Sequence, residues 1–253
     1  MKRAFPILAV LTAALLAYGT YQALVVAPTE RTMGDVQRIF YYHVPSAWTA
    51  FCLFFVNLVA SIAYLIRKNP KADALAVSSA EVGVVFCTVV LITGPIWARP
   101  VWGIWWTWDV RLTSTLVLWL IYVSYLVLRR FSDSAQTPVL AAVLAILGAL
   151  DVPLVYFSIW FFRTQHPQPV IGGGGSLDPR MLHIFLLNLF TFSCFGAMVC
   201  WWRYRLEWLQ REVDEAQALE SLMGEDGPGV SARAGAPLGK ISASKISGKP
   251  GPQ

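Results

Sequence analysis

Apolar positions in this chain run on without alternating and without a polar face. Six stretches, 5–27, 46–66, 76–97, 112–130, 138–162 and 182–202, are almost wholly apolar. Each comes close to the roughly 20 residues that a helix needs to cross a hydrocarbon core about 30 Å thick. The gaps carry charge or backbone breakers: 28–45, 67–73, 98–111, 129–138, and 163–180 with its glycine run at 172–175. The first stretch follows Lys2 and Arg3 as a signal peptide would, but it exceeds the about 7–15 apolar residues of such a segment and is read as retained. The pattern predicts an all-α integral membrane protein with six transmembrane helices. Residues 1–202 form the membrane domain and 203–253 a tail. Within the tail, 203–223 reads as a surface helix of mixed charge, and 224–253, rich in Gly, Ser, Ala and Pro, as disordered.

Composition agrees. Apolar residues make up 56% of the 253 and charged residues 14%, against about 45–50% and about 25% in soluble domains, so a globular chain of this kind could not keep its surface wet. The formal charge of +5 comes from 20 Lys and Arg placed mainly in short loops and the tail. They form no basic face interleaved with aromatics, which excludes a nucleic-acid partner and leaves membrane lipid as the surface they meet. Cys52, Cys87, Cys194 and Cys200 all fall inside apolar runs without a CxxC pair and read as small core residues.

Short basic loops stay in the cytoplasm, so the loop charges orient the spans. One side holds Lys2, Arg3, Arg67, Lys68, Lys71, Arg129, Arg130, Arg203, Arg205 and Arg211; the other holds Arg31, Arg38, Arg99, Arg111, Arg163 and Arg180. Both termini are thereby expected in the cytoplasm. His43, His166 and His183 then fall at the outer ends of spans two, five and six, and the tryptophan-rich segment falls in the outer loop after span three.

That loop, residues 97–111, carries the most information. Trp102, Trp105, Trp106 and Asp109 recur at i, i+3, i+4 and i+7, which predicts a short interfacial helix with three indoles on one stripe and Trp108 off it. Tryptophan is also enriched in belts at headgroup level, but a belt spreads over all spans, and here four indoles occur within seven residues. A dense aromatic shelf suits a large flat ligand held by stacking with a few orienting polar groups. A flat ligand with histidines at the same level suggests haem, whose iron takes imidazoles from opposite faces and hence from different parts of the chain. His43 and His166 meet that requirement on either side of the loop, although three histidines on one side do not by themselves choose the pair.

The run Trp-Gly-Ile-Trp-Trp-Thr-Trp-Asp-Val-Arg-Leu-Thr at 102–113 resembles the WWD signature of haem-handling proteins in cytochrome c biogenesis. Tyr-Tyr-His-Val-Pro-Ser-Ala at 41–47 is similar to the segment bearing the first haem-ligand histidine. Residues 151–158 followed by Arg-Thr-Gln-His-Pro at 163–167 are similar to that bearing the second. With six spans, the chain most resembles the maturation protein C family of the Ccm system, over roughly residues 30–202. The resemblance implies non-covalent haem b on a WWD platform, with His43 and His166 as the axial ligands. It also implies presentation outside the bacterial cytoplasmic (inner) membrane to a periplasmic haem chaperone, maturation protein E. The further partners it implies are the ABC-type components, maturation proteins A and B, and a small membrane component, maturation protein D. His183 matches no ligand position. Phe161 and Phe162 stand where the family commonly has two tryptophans.

Haem propionates call for cations at the rim, and Arg38, Arg99, Arg111 and Arg163 in the outer loops are the candidates, each equally able to anchor lipid phosphate. Asp151, near the middle of span five, needs a partner, protonation or a wet cavity. Glu81 lies near the inner end of span three and can snorkel, while Asn57 and Asn188 read as helix-to-helix glue. The glycine run at 172–175 has no strand context or P-loop lysine and reads as loop flexibility. The expected function is haem binding and presentation, not classical enzyme catalysis. Two alternatives are a transporter moving haem or another solute across the bilayer, and a redox b-type cytochrome, which would place paired histidines within the spans.

Overall fold

The structure is a computed structural model that describes residues 4–132, 134–162, 164–170 and 177–225. Among the described residues there are six long helices and no named strand: α1 Ala4–Tyr21, α2 Phe40–Arg67, α3 Pro70–Trp102, α4 Val110–Phe131, α5 Thr137–Phe161 and α6 Pro179–Glu225. All six are long and apolar enough to cross a membrane, as the sequence pattern requires. Helix α1 continues as a π-helical turn, Gln22–Val26, and a 3-10 turn, Asp35–Ile39, leads into α2. The chain divides into a compact unit, Met1–Trp208, and a second unit, Leu209–Gln253, whose described part is helical. Residues 203–223, expected to be helical, are so within α6; 226–253 lies outside the described residues.

Two helices reach into the gaps expected between spans. Helix α2 starts at Phe40 and runs through Pro45, which puts His43 in its first turn rather than ahead of it. Helix α3 runs through Pro95 and Pro100 to Trp102 before stopping at Gly103, a left-handed residue with φ 78° whose N–H bonds to the Arg99 carbonyl. Proline removes one helical hydrogen bond, but within a bundle, neighbouring helices and Ser or Thr hydroxyls re-satisfy the freed groups, so a spanning helix carries it. The turn between α2 and α3 shows the opposite economy. Lys68 adopts φ 51° as the cap of α2, and the Asn69 side chain accepts from the Lys71 N–H to start α3 with Pro70 in its first turn.

Packing is inverted relative to a soluble domain. Ile7, Val10, Phe55, Ile66, Val85 and Leu150 point outward, whereas Ser46, Thr49, Asn57, Ser78, Ser79 and Thr191 are buried. In lipid, helices gain nothing by hiding apolar groups from the surroundings, so small and polar residues fill the interfaces and let backbones approach. A Cβ at Gly83 would lie 2.6 Å from the Phe54 ring, and one at Gly196 would lie 2.5 Å from the Thr49 methyl. The Phe54 ring in turn stacks on Tyr122 at 3.8 Å, joining α2 to α4.

Asn57 donates to the Ala76 carbonyl across α2 and α3, and Asn188 to the Gly19 carbonyl across α6 and α1, in the gluing role expected of both. Glu81 does not snorkel free but pairs with Arg203 of α6 at 2.6 Å. A second ion pair escaped the sequence reading: Arg129 of α4 grips buried Asp73 of α3 with two hydrogen bonds of 2.8 and 2.6 Å. Asp151 has one carboxylate oxygen buried without a hydrogen-bond partner.

Candidate functional site

Residues from α2, α3 and α4 and from the segment after α5 meet around two imidazoles. His43 comes from the first turn of α2, and its Nδ1 lies 2.8 Å from the Thr93 hydroxyl of α3. His166 comes from the segment after α5, and its Nδ1 lies 3.0 Å from the Pro167 carbonyl and 3.2 Å from Arg111 Nη1, in the first turn of α4. The two ring centres are 6.5 Å apart, with planes 33° from parallel. Both Nδ1 atoms are engaged by the protein, which turns both Nε2 atoms away from those partners. Burial, with the Arg111 cation beside it, pushes the His166 imidazole down to about 4, so it is neutral at pH 7 and keeps a lone pair for a metal. His183 lies exposed on α6 and joins none of these contacts.

The tryptophan loop is built differently from the expected short helix. Trp102 is the last residue of α3, the chain from Gly103 is irregular, and Asp109 is the N-cap of α4, its Oδ1 accepting from the Leu112 N–H at 2.9 Å. The i, i+3, i+4, i+7 spacing loses to two local signals, a glycine that ends one helix and an aspartate that starts the next. Instead of one stripe, the indoles form two edge-to-face pairs, Trp97 with Trp102 at 5.1 Å and Trp106 with Trp108 at 5.8 Å. Trp105 and Trp108 are 59% and 77% exposed. Trp106 is half-buried, and its indole N–H is buried without an acceptor.

Asp109 does more than cap. Its Oδ2 accepts from the Thr107 hydroxyl at 3.1 Å and from the Thr164 hydroxyl at 2.9 Å, and the Thr164 oxygen accepts from the His166 N–H at 3.1 Å. The carboxylate thus ties the tryptophan loop to the segment that carries His166.

Arg111 donates to the Val155 and Tyr156 carbonyls of α5 at 3.1 and 2.9 Å as well as facing His166. Arg38 binds the Leu24 carbonyl and Asp35, and Arg99 binds the Gly103 carbonyl. A guanidinium has five N–H groups, so each of these anchors leaves donors for a further acceptor. Arg163 lies outside the described residues. Thr93, Thr107 and Thr164 went unnoticed in the sequence, where a threonine in or beside an apolar helix carries no mark of its partner. Asp109 could have been read as an N-cap from its place just before the apolar run of span four.

Six membrane-length helices, with one imidazole from the start of α2 and one from the segment after α5 brought to 6.5 Å, define a polytopic membrane protein with two neighbouring histidines. The sequence model described as Heme exporter protein C matches residues 1–219. The chain is 36% identical over 222 residues to Heme exporter protein C of Bradyrhizobium diazoefficiens, covering 87% of this chain and 84% of that one. It is 31% identical over 201 residues to Heme exporter protein C of Escherichia coli K12, covering 79% and 82%. It is also 33% identical over 184 residues to a ccmC-like mitochondrial protein of cytochrome c biosynthesis from Marchantia polymorpha, covering 72% and 78%. The chain belongs to the Heme exporter protein C family, and membership implies a part in haem delivery for cytochrome c maturation.

Proposed function

We propose that this protein binds haem b non-covalently between His43 and His166 on the periplasmic face of the bacterial inner membrane and presents it to a periplasmic haem chaperone, maturation protein E. The observation that carries this reading is the separation of the two rings. Two imidazoles that would share one metal, each with a metal–nitrogen distance of about 2 Å, must bring their ring centres to about 6 Å. The rings here are 6.5 Å apart. Bound haem would supply an iron that takes imidazole nitrogen and a flat apolar face for aromatic contact.

The chain's own residues do the rest. Thr93 and the Pro167 carbonyl hold the Nδ1 sides of the rings, and Asp109 with Thr164 fixes the segment bearing His166. The exposed Trp105 and Trp108 offer aromatic surface on the side where a chaperone would approach. Arg38, Arg99, Arg111 and Arg163 are the cations from which propionate partners come. The ABC-type maturation proteins A and B and the small membrane maturation protein D complete the assembly. Binding and hand-over need no bond-making by the chain itself. Movement of haem through this chain has less support, because Glu81 is held in an ion pair with Arg203 and the one unpartnered carboxylate oxygen of Asp151 does not by itself make a polar pathway.

The test is the purified full chain from haem-replete cells. It should carry haem that acid acetone extracts, and His43→Ala or His166→Ala should each change the absorption spectrum, with added imidazole restoring it in part. His183→Ala should leave the spectrum intact. A colourless preparation, or a spectrum abolished by His183→Ala and kept by His166→Ala, overturns the reading.

A further inference from the structure

The two imidazoles are not held alike, and the difference lies in one hydroxyl. Thr93 Oγ1 lies 2.8 Å from His43 Nδ1 and donates to the Val89 carbonyl, one helical turn back in α3, at 2.7 Å. A hydroxyl has a single proton. With that proton directed at a carbonyl, which only accepts, the Thr93 oxygen faces His43 as an acceptor. In that arrangement His43 is the donor, with its proton on Nδ1 and its lone pair on Nε2. Gly94, next along α3, lies beside the ring: a Cβ there would make an ordinary van der Waals contact of 3.5 Å with His43 Cε1, the carbon between the two ring nitrogens.

His166 has no such arrangement. Its Nδ1 sits between the Pro167 carbonyl, which can only accept, and Arg111 Nη1, which can only donate, so one of the two contacts is a hydrogen bond for either tautomer and the other is not. It also stands on an irregular segment, whereas His43 and Thr93 both stand on helices.

We propose that Thr93 is a positioning residue that locks His43 in the Nδ1–H tautomer, making it the anchored imidazole of the pair, with His166 the exchangeable one. This rests on the reading of the two histidines as axial ligands. An outer hydrogen bond that fixes the ring and raises its basicity is worth about 10–100-fold in metal affinity. An anchored imidazole beside an exchangeable one would let His166 release the group while His43 still holds it.

The experiment uses the full chain with ¹⁵N-labelled histidine, first free of haem and then loaded with hemin. Thr93→Val keeps the shape and removes the oxygen, while Thr93→Ser keeps both hydrogen bonds. Without haem, His43 should resonate as the Nδ1–H tautomer in the unaltered chain and in Thr93→Ser, and should become a mixture in Thr93→Val. With hemin, Thr93→Val should bind about tenfold or more weakly, show weakened axial ligation, and be restored by Thr93→Ser. Added imidazole should replace the missing ligand more completely in His166→Gly than in His43→Gly. A His43 proton on Nε2 in the unaltered chain, or a tautomer unmoved by Thr93→Val, overturns the lock. Equal imidazole replacement in the two glycine variants overturns the anchored and exchangeable roles. A tautomer that shifts as expected while hemin affinity and spectrum stay unchanged instead overturns the axial-ligand reading on which the proposal stands.

Discussion

The Thr164 hydroxyl donates to the Asp109 carboxylate at 2.9 Å across 55 residues of sequence, and through the Thr164 oxygen that bond reaches the His166 N–H. The aspartate of the tryptophan loop is therefore a clasp: one oxygen starts α4, and the other gathers Thr107 and Thr164. Asp109→Asn loses the charge that strengthens these bonds, each worth about 1.5–3 kcal/mol when an ionised acceptor is involved. Its expected effect is a displaced His166, seen as altered axial ligation with the bundle intact by circular dichroism. Thr164→Val should reproduce it. Normal ligation in both variants would show that His166 is held by other contacts.

The tryptophans should divide by burial. Trp105→Ala and Trp108→Ala, at exposed positions, should leave thermal stability unchanged and reduce haem retention or chaperone capture. Trp102→Ala removes an edge-to-face partner from Trp97 and should cost about 0.5–1.5 kcal/mol beyond lost area. If all three leave haem content and maturation untouched, the loop serves the lipid interface alone.

Reporter fusions decide the face. Fusions after Arg67 and Arg129 should report cytoplasm, and fusions after Arg31, Trp108 and Gln168 periplasm, because the more basic loops are retained inside. An inverted pattern would put the paired imidazoles on the cytoplasmic side and remove periplasmic presentation.

The Asp73 and Arg129 side chains are both largely buried, and their bond is bidentate. Arg129→Met strands a buried carboxylate and should destabilise the bundle by about 3–5 kcal/mol, read as a lower midpoint in detergent denaturation. Asp73→Leu combined with Arg129→Met removes both charges and should recover most of the loss. A double variant no more stable than the single one would show that the pair acts through geometry and not through the unpaired charge.

Sequence alone was enough for the number of spans and for the class of protein, because lipid demands that every backbone group be satisfied within the span, and about 20 continuous apolar residues announce a helix whatever its neighbours do. It also set His43, His166 and the tryptophan run at the same ends of the spans, and the structure brings the two imidazoles to 6.5 Å. Helix ends were less legible. Pro45 and Pro100 fall in the expected gaps, yet α2 and α3 pass through them, since tolerance of a proline depends on the helices packed beside it. The tryptophan stripe failed for the complementary reason: spacing predicts a helix only where its ends are free, and here Gly103 and Asp109 cap the two neighbouring helices. Only the tertiary structure decided which distant side chains meet. Thr93 against His43, Arg111 against His166 and Asp109 against Thr164 are contacts across 50 or more residues, and the first of them joins α2 to α3, which Gly83 lets approach closely beside Phe54. A hydrogen-bond partner leaves no local trace in a sequence, because its energy comes from where packing puts it and not from the residues on either side.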